Sequence, residues 1–288
     1  MHGNRVDAQR YDAAFDAVVD GTEFITIPDA HLLFSGDFKR SGDSLRITGE
    51  DGKSVLISDY FKADRLAVLL APDGAALTGD IVSALAGPLA PGQYAQLGAP
   101  ASGAQEIGRV VTLQGGAVAV RNGVTVSLNV GDAVLKGDVV QTQGGSALGI
   151  IFADGTAFNM TANARMVLND FVYNPGGSTN SALINLVQGS FTFIAGEVAK
   201  TGDMKVGTPV ATMGIRGTAV QVDINLTDGT TKLSVLVEPN GTTGSFSVYS
   251  LSGTLIGTVN NAGLAAVVTA TSPLNAILME TQKTQGEL

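Results

Sequence analysis

Arg216 stands inside a run of small residues, Gly214-Ile215-Arg216-Gly217-Thr218, that closes a glycine-punctuated stretch from Ile107 to Ile224. An arginine between two glycines has five donors and room around them, so it can clamp a carboxylate, several carbonyls or a partner. The spacing predicts a structural tie from Arg216 to a buried carboxylate or to carbonyls. A contact with a ligand or partner is the alternative, and Gly214, Gly217 and Thr218 complete that candidate site.

The other residues able to do chemistry are few and scattered. The two histidines, His2 and His31, share no metal-binding spacing. His31 precedes Leu-Leu-Phe and reads as a strand-end residue. Gly-Lys-Ser at 52–54 lacks the upstream glycine of a phosphate loop, and Asp51-Gly52 reads as a hairpin turn. There is no Gly-x-Ser-x-Gly elbow and no acid pair of the glycosidase kind. Asp132, Asp138 and Asp154 each adjoin a glycine in separate turns. A calcium loop needs several oxygens converging on one ion, so side chains bonding their own turns account for these aspartates better than calcium. Cysteine is absent, which excludes disulfides and cysteine zinc sites. The reading is of a chain that is not an enzyme and holds no cofactor or metal.

Charge narrows the partners. The chain of 288 residues carries 26 acidic and 17 basic residues, a net charge of -9. Phosphate binding needs a basic face, so nucleic acid is not expected, nor is docking on anionic lipid. No apolar run reaches the ~18–20 residues of a membrane helix. The N-terminus has no apolar core of a cleavable export signal. The expected partner is another protein or a second copy of the chain, since exposed strand edges favour self-association.

The elements that must position these residues read as strands. RVVTLQG, AVAV, VTVSLNVGD, AVLKGD, VVQT and GIIFADG are short, rich in Val, Ile, Thr and Phe, and closed by Gly, Asn-Gly or Asp-Gly. ALINLVQGSFTFIAGEV, AVQVDIN, KLSVLVEP, SFSVYSL, GTLIGTV and LAAVVTA continue the series, interrupted by a polar loop at 174–181 projecting from the scaffold. Upstream, FITI, HLLF, SLRIT and SVLIS also read as strands. Residues 79–87 suit a short helix closed by Gly87 and Pro88. Tyr11, Phe15, Val18 and Val19 share one face of a helix over 5–19. Ser272 and Pro273 can start a C-terminal helix.

The fold class expected is all-β with short terminal helices, its second module a compact β-solenoid or a sandwich. The expected organisation is a leader over 1–21, a small β-rich domain over 22–89 and a linker over 90–105. A β domain over 106–270 and a helix or tail over 271–288 follow.

Residues 107–224 resemble the FecR domain family. The resemblance is carried by Gly108-Arg109-Val110, Val130-Gly131-Asp132, Lys136-Gly137-Asp138-Val139-Val140 and Phe152-Ala153-Asp154-Gly155-Thr156. Leu186-Val187-Gln188-Gly189, Thr208-Pro209-Val210-Ala211 and Gly214-Ile215-Arg216-Gly217-Thr218 complete it. It implies an envelope domain, and in its best-known members a sensor passing a surface signal to a sigma factor. Gly36–Leu45 and Asp51–Phe61 resemble the prefix at the start of type I secreted biofilm adhesins. That implies a non-enzymatic module of an exported, adhesin-like surface protein. A soluble periplasmic sensor domain that binds a partner protein is the alternative.

Overall fold

The computed structural model describes residues 10–12, 17–19, 22–88, 105–238 and 241–284. Its first part contains β1 (Arg10–Asp12), β2 (Ala17–Val19), β3 (Thr22–Thr26), helix α1 (Ala30–Ser35), β4 (Asp37–Ser41) and β5 (Ser44–Thr48). It continues through β6 (Ser54–Ile57), β7 (Val68–Leu70), β8 (Ala76–Leu77) and helix α2 (Gly79–Ala86). Two small sheets result, ordered β1-β6-β5-β4 and β2-β3-β7-β8. The Asp51-Gly52 hairpin and the helix ending at Gly87 form as their residue types predict.

Three elements differ from expectation. His31-Leu32-Leu33-Phe34 is helical in α1, because Asp29 caps it by accepting from the backbone N–H of His31 at 2.9 Å and of Leu32 at 3.4 Å. Leu32, Leu33 and Phe34 are then all buried, and His31 is exposed on the first turn. The expected helix over 5–19 is replaced at its described residues by β1, parallel to β6, and β2, antiparallel to β3. Phe15 lies outside the described residues, as do His2 and most of the 90–105 linker.

The second part runs through β9 (Glu106–Gln114), β10 (Ala117–Arg121), β11 (Val124–Ser127), β12 (Ala133–Leu135), β13 (Val139–Thr142) and β14 (Ala147–Phe152). Next come β15 (Ala157–Met160), β16 (Arg165–Val172), β17 (Ser181–Ile194), helix α3 (Glu197–Thr201), β18 (Asp203–Gly207) and β19 (Ala211–Ile215). It ends with β20 (Ala219–Asn225), β21 (Thr230–Leu236), β22 (Phe246–Ser250), β23 (Leu255–Val259), β24 (Leu264–Ser272) and β25 (Asn275–Gln282). The third difference lies here. Ser272 and Pro273 lead into a turn, with Leu274 at φ 64°, and β25 returns along β24. Pairing over this length outweighs a short isolated helix.

These strands form one 17-stranded sheet folded into two layers. The first layer is β11-β10-β13-β16-β17-β18-β19-β22-β23, and the second is β12-β9-β14-β15-β17-β20-β21-β24-β25. Phe152 of the second layer stacks on Phe171 of the first, centroids 5.6 Å apart, so the layers face one another as a sandwich. β17 belongs to both layers. Its first half pairs with β16 and β18, its second half with β15 and β20. The change of layer falls at Gly189, where φ is 94° and a Cβ would lie 2.6 Å from Ala164 Cα. The loop at 174–181 is largely exposed and is closed at its base by buried Asn180, which accepts from Asn174 N–H at 2.8 Å and donates to Gly177 O at 3.1 Å. Buried residues of 25–86 and of 107–276 belong to one apolar cluster, so the two parts of the chain share their packing.

Candidate functional site

The polar residues that the sequence singles out sort into those that hold the scaffold and those that face outward. Asp132, Asp138 and Asp154 hold turns. Asp132 accepts from Asn129 N–H at 2.7 Å, Asp138 from Leu135 N–H at 2.9 Å, and Asp154 from Thr156 N–H at 3.0 Å. Asp154 also accepts from Thr156 Oγ1 at 2.9 Å and Val198 N–H at 3.1 Å, and Thr156 Oγ1 accepts from Gly196 N–H at 2.9 Å. The Asp154-Gly155-Thr156 turn thereby fixes the chain where it leaves β17 for α3.

Asp138 is 2% exposed and takes Arg121 as a bidentate partner, Nε at 3.0 Å and Nη2 at 3.1 Å. Burial raises its pKa above the ordinary carboxylate value, against the opposing pull of Arg121 and Leu135 N–H. A second arginine lies deeper. Arg165 Nη1 donates to Phe34 O at 3.0 Å and Gly36 O at 2.9 Å, and Nη2 donates to Ser35 O at 3.2 Å. Burial pulls its pKa down to about 10, with the charge of Asp37 opposing. Arg165 thus caps the carbonyl end of α1 from β16 and joins the two parts of the chain. Neither arginine stands out in the sequence as Arg216 does, because neither has flanking glycines and each partner is distant in the chain.

Arg216 does not have the expected structural tie. It is exposed and, among the described residues, forms no hydrogen bond or ion pair. β19 alternates, burying Ala211, Met213 and Ile215 while Thr212 and Gly214 face out, and Arg216 continues that outer row. Gly217, at φ 61°, then turns the chain from the first layer into β20 of the second. Thr218 is 1% exposed, and its carbonyl accepts from Ala195 N–H at 3.1 Å. The four candidate residues therefore divide: Gly217 and Thr218 make the crossover, Gly214 and Arg216 face outward.

On the outer face, registry places Lys205 beside Gly214 and Gly214 beside Ser247, with Thr212 beside Tyr249 one row away. Gly214 leaves a gap in this row, and the Tyr249 ring edges it, Cε2 standing 3.4 Å from where a Cβ would be. The result is a groove of about 450 Å³ across β18, β19 and β22, with Lys205 and Arg216 on one side and Tyr249 on the other. A larger polar cleft of about 1010 Å³ lies between α1 and the sandwich, lined by His31, Asp51, Gln143 and Asn163 among others. Among the described residues no three acidic, histidine or cysteine side chains gather as a metal site.

Residues 138–237 match the family model described as FecR protein.

The match covers β13 to β21 and includes Gly214, Arg216, Gly217 and Thr218. It does not reach residues 36–61, where the adhesin-like segments lie. Two crystal structures of a candidate anti-sigma factor from Parabacteroides distasonis ATCC 8503 are similar at 16% identity, with TM-scores of 0.37 and 0.36. Each similarity covers 50% of this chain and 59% of that one. No curated protein matches the chain. Among the described residues no helix is long and apolar enough to cross a membrane.

Proposed function

We propose that this chain is a non-enzymatic protein-interaction module of the FecR kind in a bacterial envelope, on its periplasmic side. It binds a partner protein on the outer face of the first layer and relays a signal. The observation that carries this reading is the groove at Gly214. Most of its lining falls within the matched span, and it presents an arginine with no partner among the described residues. Asp132, Asp138 and Asp154 of the resemblance serve turns and Thr218 a crossover, whereas Arg216 faces outward. The module is proposed to act through contact alone, since its buried carboxylates already serve turns and an arginine.

The resemblance of residues 36–61 to an adhesin prefix motivates a second reading, in which the same face is a contact surface of an exported adhesin-like protein. One experiment separates the two. Arg216→Glu is introduced in the native organism with protein abundance held equal. Signal relay predicts altered transcription of a small gene set. Unchanged transcription with weakened surface attachment would favour the adhesin instead.

A further inference from the structure

The outer face of the first layer is mixed in a particular way. One row runs Leu183, Lys205, Gly214, Ser247 and Thr258 across five neighbouring strands. The next row runs Asn185, Gly207, Thr212, Tyr249 and Leu255. Gly207 is filled, because the Asn185 amide would meet a Cβ there at 2.0 Å. Gly214 is open except for the Tyr249 ring edge. The open row is therefore a trough with bare backbone at Gly214, the Tyr249 ring along one side, and Arg216 with the Lys205–Asp203 pair along the other.

The walls have different demands. Leu255 is 56% exposed beside Tyr249, and Tyr249 has no hydrogen-bond partner among the described residues. Such a surface favours an apolar side chain. Lys205 pairs with exposed Asp203 at 2.7 Å, whereas Arg216 pairs with no carboxylate among the described residues. Its guanidinium fork fits a carboxylate with two donors. The unpaired positive charge at Arg216 lies on a chain of net charge -9. Two copies, each at -9, repel at long range more strongly than a partner of smaller negative charge, and the attraction to a carboxylate is local to Arg216. We infer that the groove over Gly214 takes an extended segment of a partner protein in which a carboxylate adjoins an apolar side chain. The carboxylate is bound by Arg216, and the apolar side chain lies over Gly214 against Tyr249. This identifies the partner chemistry of the proposed interaction module and rests on that reading.

The test uses the full chain labelled with nitrogen-15 and three synthetic nine-residue peptides. One centres on Asp-Leu, one on Asn-Leu and one on Lys-Leu, all in the same Ser-Gly background. The expected result is saturable shifts of the Gly214, Arg216, Ser247 and Tyr249 amides with the Asp-Leu peptide. Binding should weaken at least fivefold with Asn-Leu, be absent with Lys-Leu, and fall as salt rises. Arg216→Glu should abolish it at an unchanged melting temperature. Gly214→Val should also abolish it by filling the floor, and it should fold because Gly214 has no left-handed φ and an added Cβ meets only the Tyr249 ring edge, in ordinary contact at 3.4 Å. Equal binding of Asn-Leu or Lys-Leu, shifts confined to other strands, or no shift at millimolar peptide would overturn the inference. So would a dimer in sedimentation that Arg216→Glu dissolves, because the occupant would then be a second copy. The broader reading fails separately: peptide binding intact with transcription unaffected by Arg216→Glu retains the groove and removes signal relay.

Discussion

Arg165 is the residue on which the two parts of the chain meet. Its three carbonyl acceptors at 34–36 are the otherwise unpaired end of α1. Arg165→Ala leaves them buried without donors, and unfolding in urea should show a loss of about 3 kcal/mol, the scale for breaking a buried charged contact. Arg165→Lys should restore little, since one ammonium cannot span three carbonyls. A variant as stable as the parent would remove this role. Asp138 gives a pH signature. Burial raises its folded pKa above the unfolded value, so the folded chain binds that proton more tightly. Its ionised form costs stability above the folded pKa, and the cost fades as pH falls through that pKa towards the unfolded value. The parent should therefore gain stability relative to Asp138→Asn as pH is lowered through this window. A gap moving the other way would show that the Arg121 pair, rather than burial, dominates.

At the scale of elements, β17 is the hinge on which the sandwich is built, and Gly189 lets it change layers. Gly189→Ala places a methyl against Ala164 and forces a side chain into left-handed backbone. The expected loss is about 3 kcal/mol by equilibrium denaturation, from strain and overpacking together. Gly214, by contrast, lies in the same matched family span but in ordinary extended backbone, and Gly214→Val should melt near the parent. If the two variants were equally stable, layer switching at Gly189 would be tolerant of a side chain and the β17 account would fail. The helices are secondary. α1 exists because Asp29 caps it and Gly36 meets Leu32 O behind it, in a stretch whose apolar run alone is equally compatible with a strand.

At the scale of the whole molecule, we propose that residues 22–89 and 106–270 remain recognisable units while sharing one apolar cluster. The fragment from Gln105 to Leu288 should keep a β-type circular dichroism spectrum. It should melt several degrees lower than the full chain, about 5 °C or more, because Arg165 and the apolar surface under α1 and α2 become exposed. A fragment that aggregates or lacks structure would show that neither unit folds alone. An unchanged melting temperature would mean that the shared packing contributes little.

Much of the architecture was legible locally. Short Val- and Ile-rich segments closed by Asp-Gly, Asn-Gly or lone glycine specify strands and turns, because alternation and left-handed backbone are properties of neighbouring residues. The turn-forming aspartates were readable for the same reason. Tertiary structure decided the rest. Whether HLLF is helix or strand depended on the cap at Asp29 and on the burial of Leu32, Leu33 and Phe34 alike. Whether 275–282 is helix or strand depended on β24 lying alongside. The roles of the arginines were the least legible: Arg216 looks structural among its glycines yet faces solvent, while Arg165 and Arg121 find their partners at 34–36 and at Asp138. A guanidinium's task is set by what the fold brings within about 3 Å of it, and spacing along the chain does not carry that information.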